Sequence, residues 1–153
     1  MQRSAPTLLV IEDSQDQALL VGHAARRCHP GLTVHVTSNG FDGTAYLAGI
    51  EPFEDRVLFP EPNLVILDLF MPEVDGFSVL AWKARRPELR DLPIVVLTGS
   101  PKPDDEAKAL RLGANAVYRK PGELTALADV VKEIVQSYIP RGVMMDAWMT
   151  ALG

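Results

Sequence analysis

The chain has 153 residues, 47% of them hydrophobic, and a formal net charge of -5. A chain of this length can bury a core as one domain without disulfides or structural metals, and its one cysteine, Cys28, cannot form an internal bridge. We therefore expect a reduced, cytoplasmic protein. The acidic charge argues against a broad nucleic-acid-binding surface, and no segment has the roughly 18 apolar residues of a membrane span or the pattern of a signal peptide.

Short apolar runs alternate with longer amphipathic ones, which predicts an α/β fold with a parallel sheet. The first strand is predicted at Thr7–Ile11, where unbroken apolar residues indicate burial on both faces. Ser14 and Gln17 match a capping box, in which Ser14 is the N-cap and Gln17 reaches back to it. The helix that they open should run to about Cys28.

The next elements are an edge strand and a helix, followed by an irregular segment. Alternation at Thr33–Thr37 predicts the strand, and a helix is predicted over residues 41–48. Residues 51–63 contain three prolines, which exclude a regular helix through the segment. The segment is nevertheless too apolar for a disordered linker. We expect an ordered insertion that lies on the domain.

The second half of the chain continues the alternation. The most hydrophobic run, residues 64–69, predicts the central strand. The remaining predictions are a helix over 76–85, a strand over 94–97, a helix over 104–112, a strand over 116–119 and a helix over 124–138. The complete prediction is five strands and five helices in a domain of residues 1–140, followed by a C-terminal extension of residues 141–153.

Polar side chains stand where four of the predicted strands end. Glu12 and Asp13 follow the first strand, Asp68 nearly ends the third, Thr98 follows the fourth and Lys120 follows the fifth. Ligands of such sheets bind at the carboxyl ends of the strands. We expect these five side chains to form one site.

The residue types predict phosphoryl chemistry at a metal site. Three adjacent carboxylates repel one another and take up protons unless a divalent cation keeps them ionised. Oxygen ligands with positions left for water and phosphate suit Mg²⁺. Lys120 and the Thr98 hydroxyl would neutralise and bind an incoming phosphoryl group, while an oxygen of Asp68 attacks phosphorus in line.

Four motifs in this order resemble the receiver domains of bacterial response regulators. The motifs are VIED at the first strand, LDLFMPEVDG around Asp68, VVLTGS around Thr98 and RLGANAVYRKPGEL around Lys120-Pro121. The resemblance covers about residues 7–138. It implies a flavodoxin-like, doubly wound, five-stranded parallel sheet with strand order 2-1-3-4-5.

The resemblance also implies roles for individual residues. Asp68 would be the phosphoacceptor, and Asp13 the main ligand of Mg²⁺, with Mn²⁺ as a possible substitute. Glu12 would bind the metal through water, and the backbone carbonyl of Phe70 would supply another ligand. The bond between Lys120 and Pro121 would be cis. The partners would be a histidine kinase and a downstream protein target, with neither DNA nor a membrane involved.

The insertion, the PELRDLPIVVLT stretch and the C-terminal extension are similar to those of small, stand-alone regulators paired with bacterial phytochrome-type histidine kinases. The extension contains Met144, Met145, Trp148 and Met149. These residues either close the core over the last helix or form an apolar strip for a partner. We expect a homodimer through the face of the fifth strand and fifth helix together with this extension.

Three features depart from the family or modify it. Val117 occupies the position of the usual switch aromatic, and the neighbouring Tyr118 should point to the opposite face of the sheet. Either a local irregularity displaces Tyr118 or the usual coupling of the threonine to an aromatic is absent, and we expect it to be absent. Trp82 is expected to pack helix three against the insertion. Phe70 and Ser100 would flank the route of a hydrolytic water.

Two other functions fit parts of the pattern. A pseudo-receiver would keep the fold only for binding, and Val117 is consistent with that. A haloacid-dehalogenase-like phosphatase also uses a strand-end Asp, a Thr and a Lys, but the acidic pair here precedes Asp68 and the position of Phe70 lacks a second Asp. Glu12 and Asp13 would, taken alone, also suit a solvated helix N-terminus.

Overall fold

The computed structural model describes residues 5–139, which form a sheet with helices on both faces. The strands are β1 (Thr7–Ile11), β2 (Thr33–Thr37), β3 (Leu64–Leu67), β4 (Ile94–Thr98) and β5 (Ala116–Arg119). The helices are α1 (Gln15–Cys28), α2 (Gly40–Ala48), α3 (Gly76–Ala84), α4 (Pro103–Arg111) and α5 (Leu124–Tyr138). The predicted extension of residues 141–153 lies outside the described residues.

All neighbouring strands are parallel and lie in the order β2-β1-β3-β4-β5, which confirms the doubly wound, flavodoxin-like prediction. Alternate residues of the strands pack against opposite layers. Leu8, Val10 and Leu97 join one apolar cluster with α1 and α5, whereas Leu9 and Val96 join the cluster of α2, α3 and α4. Because helices cover both faces, β1, β3 and β4 are buried throughout, as their continuous apolar runs predicted.

The start of α1 corrects one detail of the predicted capping box. The Ser14 Oγ accepts a hydrogen bond from the Gln17 amide at 3.3 Å, as expected. The Ser14 amide, however, donates to Glu12 Oε1 at 3.2 Å, and the Gln17 Oε1 is buried without a hydrogen-bond partner within the described chain. A carboxylate is a stronger acceptor than an amide oxygen, so Glu12 takes the place of Gln17.

The predicted boundaries of several elements shift by one or two residues. The third strand ends at Leu67, not at residue 69, so Asp68 is the first residue beyond it. The chain turns sharply here, since the Gly76 amide donates to the Leu69 carbonyl at 2.8 Å and a Cβ at Gly76 would collide with the Asp68 carbonyl oxygen. Local contacts at the strand end set this boundary, and the apolar periodicity of the sequence carries no information about them.

The insertion packs on the edge of the domain, as its apolar residues predicted. The rings of Phe53 and Phe59 lie 5.1 Å apart and 5.2 and 6.0 Å from the ring of Tyr46 on α2. The ring of His35 on the edge strand β2 lies 5.6 Å from Phe59. The guanidinium of Arg56 donates to the carbonyl oxygens of Tyr46, Leu47 and Phe59 at 2.9, 3.2 and 3.2 Å. Aromatic contacts and the hydrogen bonds of Arg56 therefore hold this segment against the domain, although it contains no helix or strand.

The expectation of a cis bond between Lys120 and Pro121 is wrong. Among residues 5–139 the structure has one cis peptide bond, between Glu51 and Pro52. The two isomers of an X-Pro bond differ little in free energy, so the surrounding structure selects between them.

Trp82 joins the same apolar cluster as Phe53 and Phe59, and the guanidinium of Arg86 lies 4.6 Å from the centre of its ring. A direct contact of Trp82 with the insertion stays a prediction. In the part of the chain that the structure describes, no helix combines the length and apolar character needed to cross a bilayer.

Candidate functional site

Three carboxylates meet where β1 and β3 end side by side. Ile11 pairs with Leu67 in the sheet, and the Asp68 amide donates to the Ile11 carbonyl at 3.0 Å, which places Asp68 beside the residues that follow β1. Oxygen atoms of Glu12, Asp13 and Asp68 all lie within 4.8 Å of one another. Glu12 and Asp68 are buried and Asp13 is exposed, so the group is open to solvent on one side.

Lys120 reaches this group from the end of β5. Its Nζ lies 2.9 Å from Glu12 Oε2 and 3.6 Å from Asp68 Oδ1. The side chains of Lys120, Glu12 and Asp68 are only 14%, 6% and 8% exposed, so solvent screens these contacts weakly. The Lys120 amide donates to the Thr98 carbonyl at 2.8 Å, which holds the backbone of Lys120 against the end of β4.

The electrostatics of the group favour a cation. Burial raises the pKa of Asp68, and the charge of Asp13 raises it further, while Lys120 and the Phe70 amide oppose the rise. Burial also raises the pKa of Glu12, with a contribution from Asp68, against the hydrogen bond from Lys120. One ammonium therefore does not fully compensate two buried carboxylates, and the donor set of hard oxygens fits a divalent cation.

Thr98 ends β4, the strand that pairs with β3, and Phe70 follows Asp68 by two residues. Thr98 is 2% exposed at the end of β4, and its Oγ1 accepts a hydrogen bond from the Ser100 amide at 3.1 Å. Phe70 is 52% exposed, and its ring meets that of Phe77 edge to face at 6.1 Å. The expected role of the Phe70 carbonyl as a metal ligand stays a prediction.

The position at which the family usually has an aromatic switch residue holds an aliphatic residue in this chain. Val117 packs in the cluster of α2, α3 and α4, and Val96 of β4, which precedes Thr98 by two residues, packs there as well. Tyr118 packs in the opposite cluster with α1 and α5. The prediction that Tyr118 points to the face of the sheet opposite to that of Val117 is confirmed, because neighbouring residues of a strand alternate between faces.

Two contacts near Thr98 were not anticipated. The Ser100 Oγ donates to Asp105 Oδ2 at 2.6 Å, and the Arg119 Nη2 donates to the Pro101 carbonyl at 2.6 Å. Only the first carried a sequence signal, since a serine ahead of an acidic first helical turn favours local hydrogen bonds. The second joins residues that are 18 apart in sequence and depends on the register of β4 and β5.

A model of the family described as the response regulator receiver domain matches residues 8–132. The response regulator Rcp1 of Synechocystis sp. is 32% identical over 127 residues, which cover 83% of this chain and 84% of that protein.

Two solved structures share the fold closely. The phosphorylated cyanobacterial phytochrome response regulator RcpA gives a TM-score of 0.81 at 28% identity, over 88% of this chain and 94% of that chain. The Mn²⁺-bound form of response regulator Rcp1 gives a TM-score of 0.79 at 29% identity, over 90% of this chain and 97% of that chain. The resemblance to phytochrome-associated regulators is thus supported by sequence and by fold. The chain belongs to the response regulator receiver domain family of two-component systems.

Proposed function

We propose that this chain accepts a phosphoryl group on Asp68 from the phosphohistidine of a histidine kinase and signals through contacts with other proteins. The observation that carries the proposal is the placement of a buried carboxylate, Asp68, between two further acids and an ammonium 3.6 Å away. Stability alone gives no reason for this arrangement, since burial raises the pKa of Asp68.

In the proposed transfer, an oxygen of Asp68 attacks phosphorus, and the new O–P bond forms as the N–P bond to the kinase histidine breaks. The electron pair of that bond stays with the imidazole nitrogen. Lys120 would neutralise negative charge on the phosphoryl oxygens, and the Thr98 hydroxyl would donate to one of them. The protein supplies position and charge, which are the main requirements of phosphoryl transfer.

We further propose that Asp13, Asp68 and the Phe70 carbonyl hold Mg²⁺ directly, while Glu12 acts through water. Both oxygens of Glu12 already accept hydrogen bonds, from Ser14 and Lys120, which supports its indirect role. When bound, the cation would keep the carboxylates ionised and offset phosphoryl charge. The Mn²⁺-bound form of Rcp1 supports a divalent cation, with Mn²⁺ as a substitute for Mg²⁺.

The proposed kinase is of the phytochrome type, and the transfer would take place in the cytoplasm. The similarity to RcpA, described as a phytochrome response regulator, supports this partner. The net charge of -5 favours a protein over a nucleic acid as the downstream target.

Intact mass after treatment with Mg²⁺ and acetyl phosphate tests the proposal. We expect one added phosphoryl group on the unaltered protein and on Asp129→Asn, an exposed carboxylate on α5 that serves as the matched control. Asp68→Asn should gain none. An adduct that persists in Asp68→Asn contradicts the assignment. The absence of any adduct indicates a pseudo-receiver, and repeated hydrolysis of phosphate esters without a stable adduct indicates a phosphatase.

A further inference from the structure

Helix α4 is loosely attached to the domain. Of its nine residues, all of them described, Ala109 is the one that is buried. Its first turn carries Asp104, Asp105 and Glu106, which favour the N-terminal end of the helix dipole but add no apolar contact. An element with so little buried surface can shift at low cost, so polar contacts at its start have a large share in fixing its position.

Ser100 connects Thr98 to the first turn of α4. Its amide donates to the Thr98 Oγ1 at 3.1 Å, and its own Oγ donates to Asp105 Oδ2 at 2.6 Å. The same Oγ accepts from the Lys102 amide at 3.2 Å. Hydrogen bonds of one residue therefore join the Thr98 hydroxyl to the start of α4, and the bond to the carboxylate is of the charge-assisted, stronger kind.

Arg119 holds the other side of the same loop. It pairs with Thr98 in the register of β4 and β5, and it lies two residues after Val117, on the same face of the sheet. Its Nη2 donates to the Pro101 carbonyl at 2.6 Å. The aliphatic side chain of Val117 has no polar atom for such a contact, so the guanidinium supplies the link from β5 to the loop.

We propose that Ser100 and Arg119 are positioning residues that couple Thr98 to α4 in this chain, in place of an aromatic residue at position 117. A phosphoryl group on Asp68 would shift the preferred position of the Thr98 hydroxyl. The hydrogen bonds of Ser100 would transmit that shift to Asp105. Arg119 would restrain Pro101, so that the loop moves α4 rather than deforming by itself. The inference rests on the proposed function of Asp68, because it needs a phosphoryl-dependent bias on Thr98.

The test uses beryllofluoride with Mg²⁺ as a phosphoryl mimic and amide NMR of the full chain. Amides of residues 68–70 report binding of the mimic, and those of Ala109 and Leu110 report the response of α4. In Ser100→Ala and in Arg119→Met we expect the binding signals to persist while the shift changes of α4 fall to less than about half of their original size. Arg119 is exposed, so that variant keeps the core intact.

Matched variants separate coupling from general damage. Arg90→Met makes the same change at an exposed arginine in the turn before β4 and should keep the full response of α4. Arg119→Lys and Ser100→Thr keep a donor and should restore much of it. A full α4 response in Ser100→Ala and Arg119→Met, or an equal loss in Arg90→Met, overturns the inference while leaving the proposed function intact. Failure of the unaltered protein to bind beryllofluoride overturns both.

Discussion

At Asp68, burial and neighbouring negative charge act together against ionisation. The residue is 7% exposed and adjoins Glu12 and Asp13, with the Lys120 ammonium as the nearby positive charge. The sequence sufficed to predict that these residues meet, because each follows a strand of one parallel sheet. It did not predict that Lys120 lies closer to Glu12 than to Asp68, since side-chain pairing depends on distances of a few ångströms.

Mg²⁺ should stabilise the protein through Asp13, the exposed member of the group. At a concentration of roughly 100 times its Kd, a ligand of the folded state adds about 2.7 kcal/mol to the free energy of unfolding. Thermal unfolding with and without Mg²⁺ measures this gain. Asp13→Asn should lose most of it, whereas Asp16→Asn, an exposed acid in the first turn of α1, should keep it. An equal gain in both variants would place the cation elsewhere.

The raised pKa of Asp68 predicts a pH dependence in the metal-free protein. The folded state keeps the proton of Asp68 to a higher pH than the unfolded chain does. As pH rises above the ordinary carboxyl pKa of about 4, the contribution of Asp68 to stability therefore falls until the folded carboxyl has also ionised.

Urea unfolding in the presence of a chelator, from about pH 4 upward, measures this effect. The unaltered protein should lose stability relative to Asp68→Asn across that range, and Asp129→Asn should follow the unaltered protein. A difference between the unaltered protein and Asp68→Asn that stays constant with pH contradicts the account.

At the scale of elements, apolar patterning predicted the five strands and the five α-helices, but not the short 3₁₀ helix Pro87–Leu89, and hydrogen bonds at the ends set the boundaries. Helix α2 ends at Ala48 because Gly49 adopts a left-handed conformation with φ 67°, and α4 begins at Pro103. The insertion could be predicted as ordered, since it is apolar, but its conformation could not. It depends on the tertiary contacts of Arg56 and of aromatic rings brought from α2.

The hydrogen bonds of Arg56 should hold the insertion against the domain. Arg56→Met removes the side-chain donor to the carbonyl oxygens of Tyr46, Leu47 and Phe59, and the Tyr46 oxygen still accepts from the Gly49 amide at 3.1 Å. The lost hydrogen bonds should lower the free energy of unfolding by about 1–3 kcal/mol. Urea unfolding measures the change, and Arg90→Met, at an exposed arginine, should change it little. None of these contacts of Arg56 involves Asp68, so phosphorylation by acetyl phosphate should be retained. Equal free energies of unfolding for Arg56→Met and Arg90→Met would contradict this role of Arg56.

At the scale of the whole molecule, the sheet ends in two edge strands, β2 and β5. The insertion lies against His35 of β2, while β5 is short and only partly buried. The order of the strands followed from the family resemblance, and the sequence itself shows the aliphatic Val117, whereas the contact of Arg119 with the Pro101 carbonyl needed the tertiary structure. An exposed edge strand is a ready site for association.

We predict a homodimer through the face of β5 and α5 together with residues 141–153. Sedimentation of the full chain, with and without beryllofluoride, should give the mass of a dimer in at least one condition. Removal of residues 141–153 should shift it to the monomer, since apolar methionines and a tryptophan lie in this segment. A monomer in every condition contradicts this prediction, and it leaves the chemistry of Asp68 untouched.

Phosphorylation of Asp68 would leave an acyl phosphate, which chemical trapping locates at a single residue. Borohydride reduces an aspartyl phosphate to homoserine, so peptide mapping after treatment with Mg²⁺, acetyl phosphate and borohydride identifies the acceptor. We predict homoserine at position 68, and none when Mg²⁺ is removed by a chelator. Homoserine at another aspartate, or at none in the presence of Mg²⁺, would contradict the assignment of Asp68 as the acceptor.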